Sequence, residues 1–164
     1  MAYYAWTTYA EITLPKENFA EVEKRYQEYM NTVIDKDSPD TNRDRYYEKY
    51  SYYHGRSEKF KLDDIFNSYG FEYHIHGNSG NITDIVYEES SYDDRKITTF
   101  IKFLAGLVEE GNYIEWEGSS GGDDRWMFYH HDNQWSQHMA LVDVTYPSKE
   151  DLLNGDNKYT RYLT

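Results

Sequence analysis

Nineteen tyrosines on a chain of net charge −13 constrain this protein more than any other feature of its 164 residues. Acidic chains that stay disordered are poor in aromatic residues, because without them too little apolar surface can be buried to offset the lost chain entropy. Here Phe, Trp and Tyr make up 18% of the residues. The chain is therefore expected to fold around an aromatic core and to present a strongly negative surface. Its length fits one domain with a core that needs no covalent staples. The absence of cysteine excludes disulfides and thiolate metal sites and fits a reducing compartment. No apolar run approaches the ~18 residues of a membrane span, and the first residues lack the basic start of a signal peptide.

The pattern of apolar residues predicts an α+β fold. Tyr3, Tyr4, Trp6, Thr7, Thr8, Tyr9, Ile12 and Thr13 are β-branched or aromatic and predict a strand over residues 2–13. Pro15 suits a first helical position, and Phe19, Val22, Tyr26, Tyr29, Met30 and Val33 recur at helical spacing, which predicts a helix over 15–33. Residues 35–45 read as an exposed loop, and 43–53 as a short helix rich in tyrosine. Leu62, Ile65, Phe66 and Tyr69 predict a helix stopped by Gly70. Strands over 71–76 and 82–87 flank the turn Gly77–Asn81. The apolar stripe Ile97, Phe100, Ile101, Leu104, Leu107 and Val108 predicts a second main helix, closed by Gly111. Strands over 113–117, 125–131 and 135–146 follow, joined by a glycine-rich turn at 118–122 and by Asp132-Asn133. The expected architecture is a single α+β domain over 1–164. One antiparallel sheet would carry the two main helices on one face, and residues 148–164 would form a polar surface tail. Segments 60–87 and 97–131 share the order helix, glycine, strand, turn, strand, which allows a repeated helix–hairpin unit. Trp6, Trp116, Trp126 and Trp135 are expected in the core or at its edge.

No complete catalytic motif is present, so a binding protein is expected rather than an enzyme, with no cofactor. Gly118-Ser-Ser-Gly-Gly122 lacks the Lys-Ser/Thr ending of a phosphate loop and opens a strand rather than a helix. Glu72, His74 and His76 alternate onto one strand face. Two histidines at i, i+2 with a carboxylate are a pattern that zinc accepts, and also one that any solvent-facing strand produces. His130, His131 and His138 lie in the later strands.

Residues 61–164 carry −11 of the −13 charge. A field of this sign repels nucleic acid and anionic membranes and steers basic surfaces toward itself. The expected partner is therefore a basic protein, with no direct nucleic-acid or membrane contact. The candidate binding residues are the acids Asp84, Glu88, Glu89, Asp93, Asp94, Glu109, Glu110, Asp123 and Asp124, which could stand in for backbone phosphates, and Tyr46, Tyr47, Tyr50 and Tyr53. Five tyrosines within residues 46–53 exceed what one helix face buries, and tyrosine gives large contact area at low entropy cost.

In size, acidity, lack of cysteine and aromatic load the chain resembles the antidefence inhibitors of bacteriophages and mobile elements, such as anti-CRISPR and other DNA-mimic proteins. That resemblance implies stoichiometric inhibition of a nuclease or other nucleic-acid-binding effector in the cytoplasm, the host's if the chain is phage-encoded, by a monomer or homodimer. Two other readings share parts of the same chemistry: an immunity protein that neutralises a basic toxin, and a metal-binding module or metal-dependent enzyme built on Glu72, His74 and His76.

Overall fold

A computed structural model of the chain describes residues 3–34, 61–89, 91–119, 124–140, 146–155 and 160–164. The elements run β1 (Ala5–Glu11), α1 (Phe19–Ile34), α2 (Leu62–Ser68), β2 (Phe71–Ile75), β3 (Ile82–Tyr87), α3 (Asp94–Phe103), β4 (Tyr113–Gly118), β5 (Arg125–His131), β6 (Gln134–Met139), α4 (Lys149–Leu153) and β7 (Thr160–Leu163). The expected α+β class is observed.

The sheet is divided where one sheet was expected. Five strands form the main antiparallel sheet in the order β1-β4-β5-β6-β7, and β2 and β3 form a separate hairpin. The hairpin is tied to the first strand by the Tyr87 N–H, which donates to the Thr7 hydroxyl, and to the segment after that strand by an isolated bridge between Leu14 and Ile82. Strand pairing is non-local, so hydrophobic alternation within β2 and β3 carries no record of which sheet they join. Helix–glycine–strand–turn–strand order occurs twice, as α2–β2–β3 and α3–β4–β5, but the two hairpins lie in different sheets.

The expected tail is not a loose surface segment throughout. Thr160–Leu163 adds to the edge of the main sheet by pairing with β6, and Leu163 is buried. Ser148 caps α4, its hydroxyl accepting the Asp151 N–H at 3.2 Å. Such a short strand in a polar context has too few residues for periodicity to reveal it.

One face of the main sheet builds the core. Ile114, Trp116, Trp126 and Phe128 form two cross-strand pairs, Ile114 with Phe128 and Trp116 with Trp126, and all four are buried. The two indole rings stack with centroids 6.1 Å apart. Trp135 is also buried. Val22, Tyr26 and Met30 of α1 and Ile97, Phe100 and Ile101 of α3 complete the same cluster, which continues into the hairpin through Phe71, stacked on Phe100 at 4.5 Å. The second main helix is displaced from the apolar stripe: it starts at Asp94 and ends at Phe103, so Leu104, Leu107 and Val108 are buried in the turns that follow it rather than on the helix. Asp93 caps α3, its carboxylate accepting the N–H groups of Arg95 and Lys96 at 3.0 and 3.3 Å. Gly70 ends the α2 turn at φ +82°, and any side chain there would strike the Glu89 side chain and the Tyr87 ring.

Candidate functional site

The second face of the main sheet carries exposed aromatic residues, and a β-bulge determines its composition. Trp6 pairs with Glu117 and Tyr9 with Glu115, with a register shift between Thr7 and Tyr9. In a regular strand, residues three apart point to opposite faces. The extra residue, Thr8, turns Tyr9 back onto the face that Trp6 occupies. Glu11 then pairs with Tyr113. Three successive cross-strand rungs therefore each join one aromatic residue to one carboxylate: Trp6 with Glu117, Tyr9 with Glu115, and Tyr113 with Glu11. Directly opposed side chains in an antiparallel pair are neighbours.

Among the described residues Trp6, Tyr9 and Glu11 on this half of the face are exposed, and Tyr113, Glu115 and Glu117 are half-buried. Trp6 is 44% and Tyr9 56% exposed. The rings of Tyr9 and Tyr113 stack with centroids 5.7 Å apart and planes inclined by 22°. Burial raises the Tyr113 phenol above its ordinary value, and the neighbouring Tyr9, Glu11 and Glu115 add to the shift. Glu115 is also held above the ordinary carboxylate value by burial, with Arg125 acting in the opposite direction. The Arg125 guanidinium pairs with Glu117 at 3.3 Å.

On β5 and β6 the same face is largely buried, although Tyr162 of β7 is 40% exposed. Met127, Tyr129, Ser136 and His138 are buried on it. The Tyr146 hydroxyl donates to the Trp126 carbonyl at 3.1 Å, and burial together with the nearby Glu115 raises its phenol above the ordinary value while Arg125 acts in the opposite direction. Between residues 152–155 and the sheet lies a cavity of about 190 Å³ lined by His131, Ser136, His138, Leu152, Leu153 and Tyr162, among others. His138 Nε2 and the Ser136 hydroxyl are 2.7 Å apart, and burial lowers the His138 pKa, favouring the neutral ring. His130 lies on the core side. The Gly106 N–H donates to its Nε2 at 2.9 Å, and its Nδ1 lies 3.1 Å from the Glu109 carbonyl. An amide donor at Nε2 requires a lone pair there, so Nδ1 carries the proton and the ring is neutral; burial also lowers its pKa.

The acids singled out from the sequence divide between the two ends of the main sheet. Glu89, Asp93, Asp94 and Asp124 gather near Tyr3 and Tyr92. Lys96 Nζ reaches both Glu89 oxygens at 3.1 Å, Arg161 pairs with Asp94 at 3.3 Å, and the Tyr3 hydroxyl donates to Asp124. Gly118 permits this last contact, because a Cβ there would collide with both partners. Glu109 and Glu110 lie at the opposite end. Burial alone would raise the Glu110 carboxyl, but the Asp132 N–H and His131 overcome it and hold the group below its ordinary value. Asp84 and Glu88 are exposed, on β3 and just beyond it. Five of these acids thus serve the chain's own caps, pairs and turns. Tyr46, Tyr47, Tyr50, Tyr53 and Asp123, with the 35–45 loop and the 43–53 helix, lie outside the described residues.

Glu72 and His74 project from β2 into solvent and His76 is exposed just beyond it, with its Nδ1 3.2 Å from the Ser79 hydroxyl. Among the described residues no group of three or more His, Asp or Glu side chains is placed to hold a metal ion. No helix among them is long and apolar enough to cross a membrane.

The aromatic–acidic rungs were missed by sequence reasoning, which expected Trp6 in or beside the core. Alternation in Tyr113-Ile-Glu-Trp-Glu117 does separate Tyr113, Glu115 and Glu117 from Ile114 and Trp116. The bulge that brings Tyr9 beside them has no sequence signal. Compared with known protein families, curated proteins and solved structures, the chain matches none.

Proposed function

We propose that this protein is an acidic, aromatic-rich binding protein that occupies the positive surface of a basic, nucleic-acid-binding effector, such as a nuclease or defence complex, and so inhibits it. The observation that carries this reading is the open half of the main sheet, where Trp6, Tyr9 and Tyr113 alternate with Glu11, Glu115 and Glu117 across two strands. Exposed Trp and Tyr are the residues that most often dominate binding energy. Carboxylates between them demand a cationic partner, and the net charge of −13 steers one in. The exposed acids Asp84, Glu88 and Glu109 extend the negative field beyond the contact. In this reading the partner meets a sheet face in which rings supply contact area and carboxylates replace phosphate charge.

The test is affinity capture from bacterial lysate at low and high salt, with the native chain and with the Trp6→Ala/Tyr9→Ala double variant, followed by assay of any retained nucleic-acid enzyme. The expected result is a basic enzyme that is held at low salt, released at high salt, lost from the double variant, and inhibited in proportion to added protein. An enzyme held equally by the double variant, or unaffected in activity, would contradict the reading.

A further inference from the structure

The rungs also specify which cation they suit. At the first rung the protein supplies its own answer: the carboxylate of Glu117 is engaged by the guanidinium of Arg125 from the adjacent strand, at 3.3 Å. The other two rungs repeat the same combination, a ring beside a carboxylate, but Glu11 and Glu115 have no such pairing of their own among the described ion pairs. Across this half of the face, Glu11, Glu115 and Glu117 are opposed by Arg125 alone on β1, β4 and β5, an excess of two negative charges. We infer that the Tyr9–Glu115 and Tyr113–Glu11 rungs form a receptor for arginine side chains presented by the partner.

The geometry favours arginine over lysine. Tyr9 and Tyr113 stack with planes inclined by 22°, and Glu115 and Glu11 flank this pair because each glutamate is the cross-strand partner of one of the two tyrosines. A guanidinium is planar and weakly hydrated. It can lie flat on a ring while its edge donates two hydrogen bonds to a carboxylate. An ammonium is a compact, strongly hydrated point charge that gains from the carboxylates but not from the stack. Tyr9, at 56% exposure, leaves the pair accessible.

This inference rests on the proposed function, and the test separates the two. Affinities of an arginine octapeptide and a lysine octapeptide, matched in length and charge, would be measured by calorimetry at low salt. The native protein is expected to bind the arginine peptide about tenfold more tightly. Tyr9→Ala should remove that preference. Glu11→Gln with Glu115→Gln should weaken the arginine peptide several-fold, whereas Glu150→Gln on α4, an exposed acid away from the rungs, should not. Equal affinity for both peptides would overturn the arginine receptor and leave the basic-partner reading standing. Failure to bind either would overturn both. A preference for arginine that survives Tyr9→Ala would place the site elsewhere and overturn the assignment.

Discussion

The two halves of one sheet face have met opposite fates. On β5 and β6 the outward side chains Met127, Tyr129, Ser136 and His138 are buried. On β1–β4 the outward side chains Trp6 and Tyr9 stand half exposed beside three carboxylates. Both halves are rich in aromatic and polar residues, so composition does not separate them. The difference is in exposure: the described side chains of one half are largely buried, while Trp6 and Tyr9 of the other stand in solvent, with Tyr146 reaching the boundary between them beside Glu115 and Arg125. A sheet face that a protein covers with its own chain contributes to stability. A face of similar chemistry left uncovered, with apolar rings held in water, is available to another molecule.

That contrast can be broken by substitution, and the largest effect is expected on the buried half. Met127→Ala should lower unfolding stability by about 2–5 kcal/mol, because a buried side chain leaves a cavity that its neighbours fill only in part. Denaturant titration reads this directly. A loss below about 1 kcal/mol would mean that this half of the face is not firmly packed.

The pH dependence of stability should be intermediate. Burial lowers the pKa values of His130 and His138 below the ordinary 6.5. The unfolded chain therefore takes up protons that the folded chain refuses, so the contribution is complete above about 6.5 and is lost as pH falls below it. Glu110, held low, adds a loss in the same direction in the carboxylate range, while Glu115, held high, works against it. Denaturation midpoints at several pH values between 8 and 5 (roughly the range over which histidine titrates) should decline toward acid. A flat profile would contradict the neutral, buried assignment of both rings.

The smallest change in stability is expected on the open half. Trp6→Ala should shift unfolding by no more than about 0.5 kcal/mol, as for other exposed positions, although the proposed function places the same residue at the centre of binding. A loss comparable to that of Met127→Ala would erase the distinction between the halves.

How far each half is legible in the sequence follows from the range of the interactions that make it. The Ile97–Ile101 part of the apolar stripe, the alternation of β4 and the Asp132-Asn133 turn are local and can be read directly, whereas Leu104, Leu107 and Val108 keep the helical spacing but lie in turns beyond α3. Asp132 and Asn133 do adopt positive φ, 53° and 59°, as a tight two-residue hairpin requires. The start of α3 at Asp94 escaped because the cap and first turn are polar and carry no periodicity. The separation of the β2–β3 hairpin and the return of β7 to the sheet edge depend on pairings between distant residues. The candidate binding face was half legible. Tyr113, Glu115 and Glu117 follow from alternation, whereas Tyr9 joins them only through the bulge at Thr8. The acidic clusters that stand out in the sequence were informative about the field of the molecule. Asp93, Glu89 and Glu110, however, turn out to be a helix cap, a partner of Lys96 and a support for the 131–132 turn.

The central claim is that the uncovered half of the main sheet is the binding surface. Amide chemical-shift mapping during titration with the arginine octapeptide tests it residue by residue. The account predicts that shifts concentrate on Trp6–Glu11 and Tyr113–Glu117 and spare Gln134–Met139 and Lys149–Leu153. Shifts centred on residues 134–139 and 149–153, or on Asp93 and Asp94 with β1 and β4 silent, would contradict it.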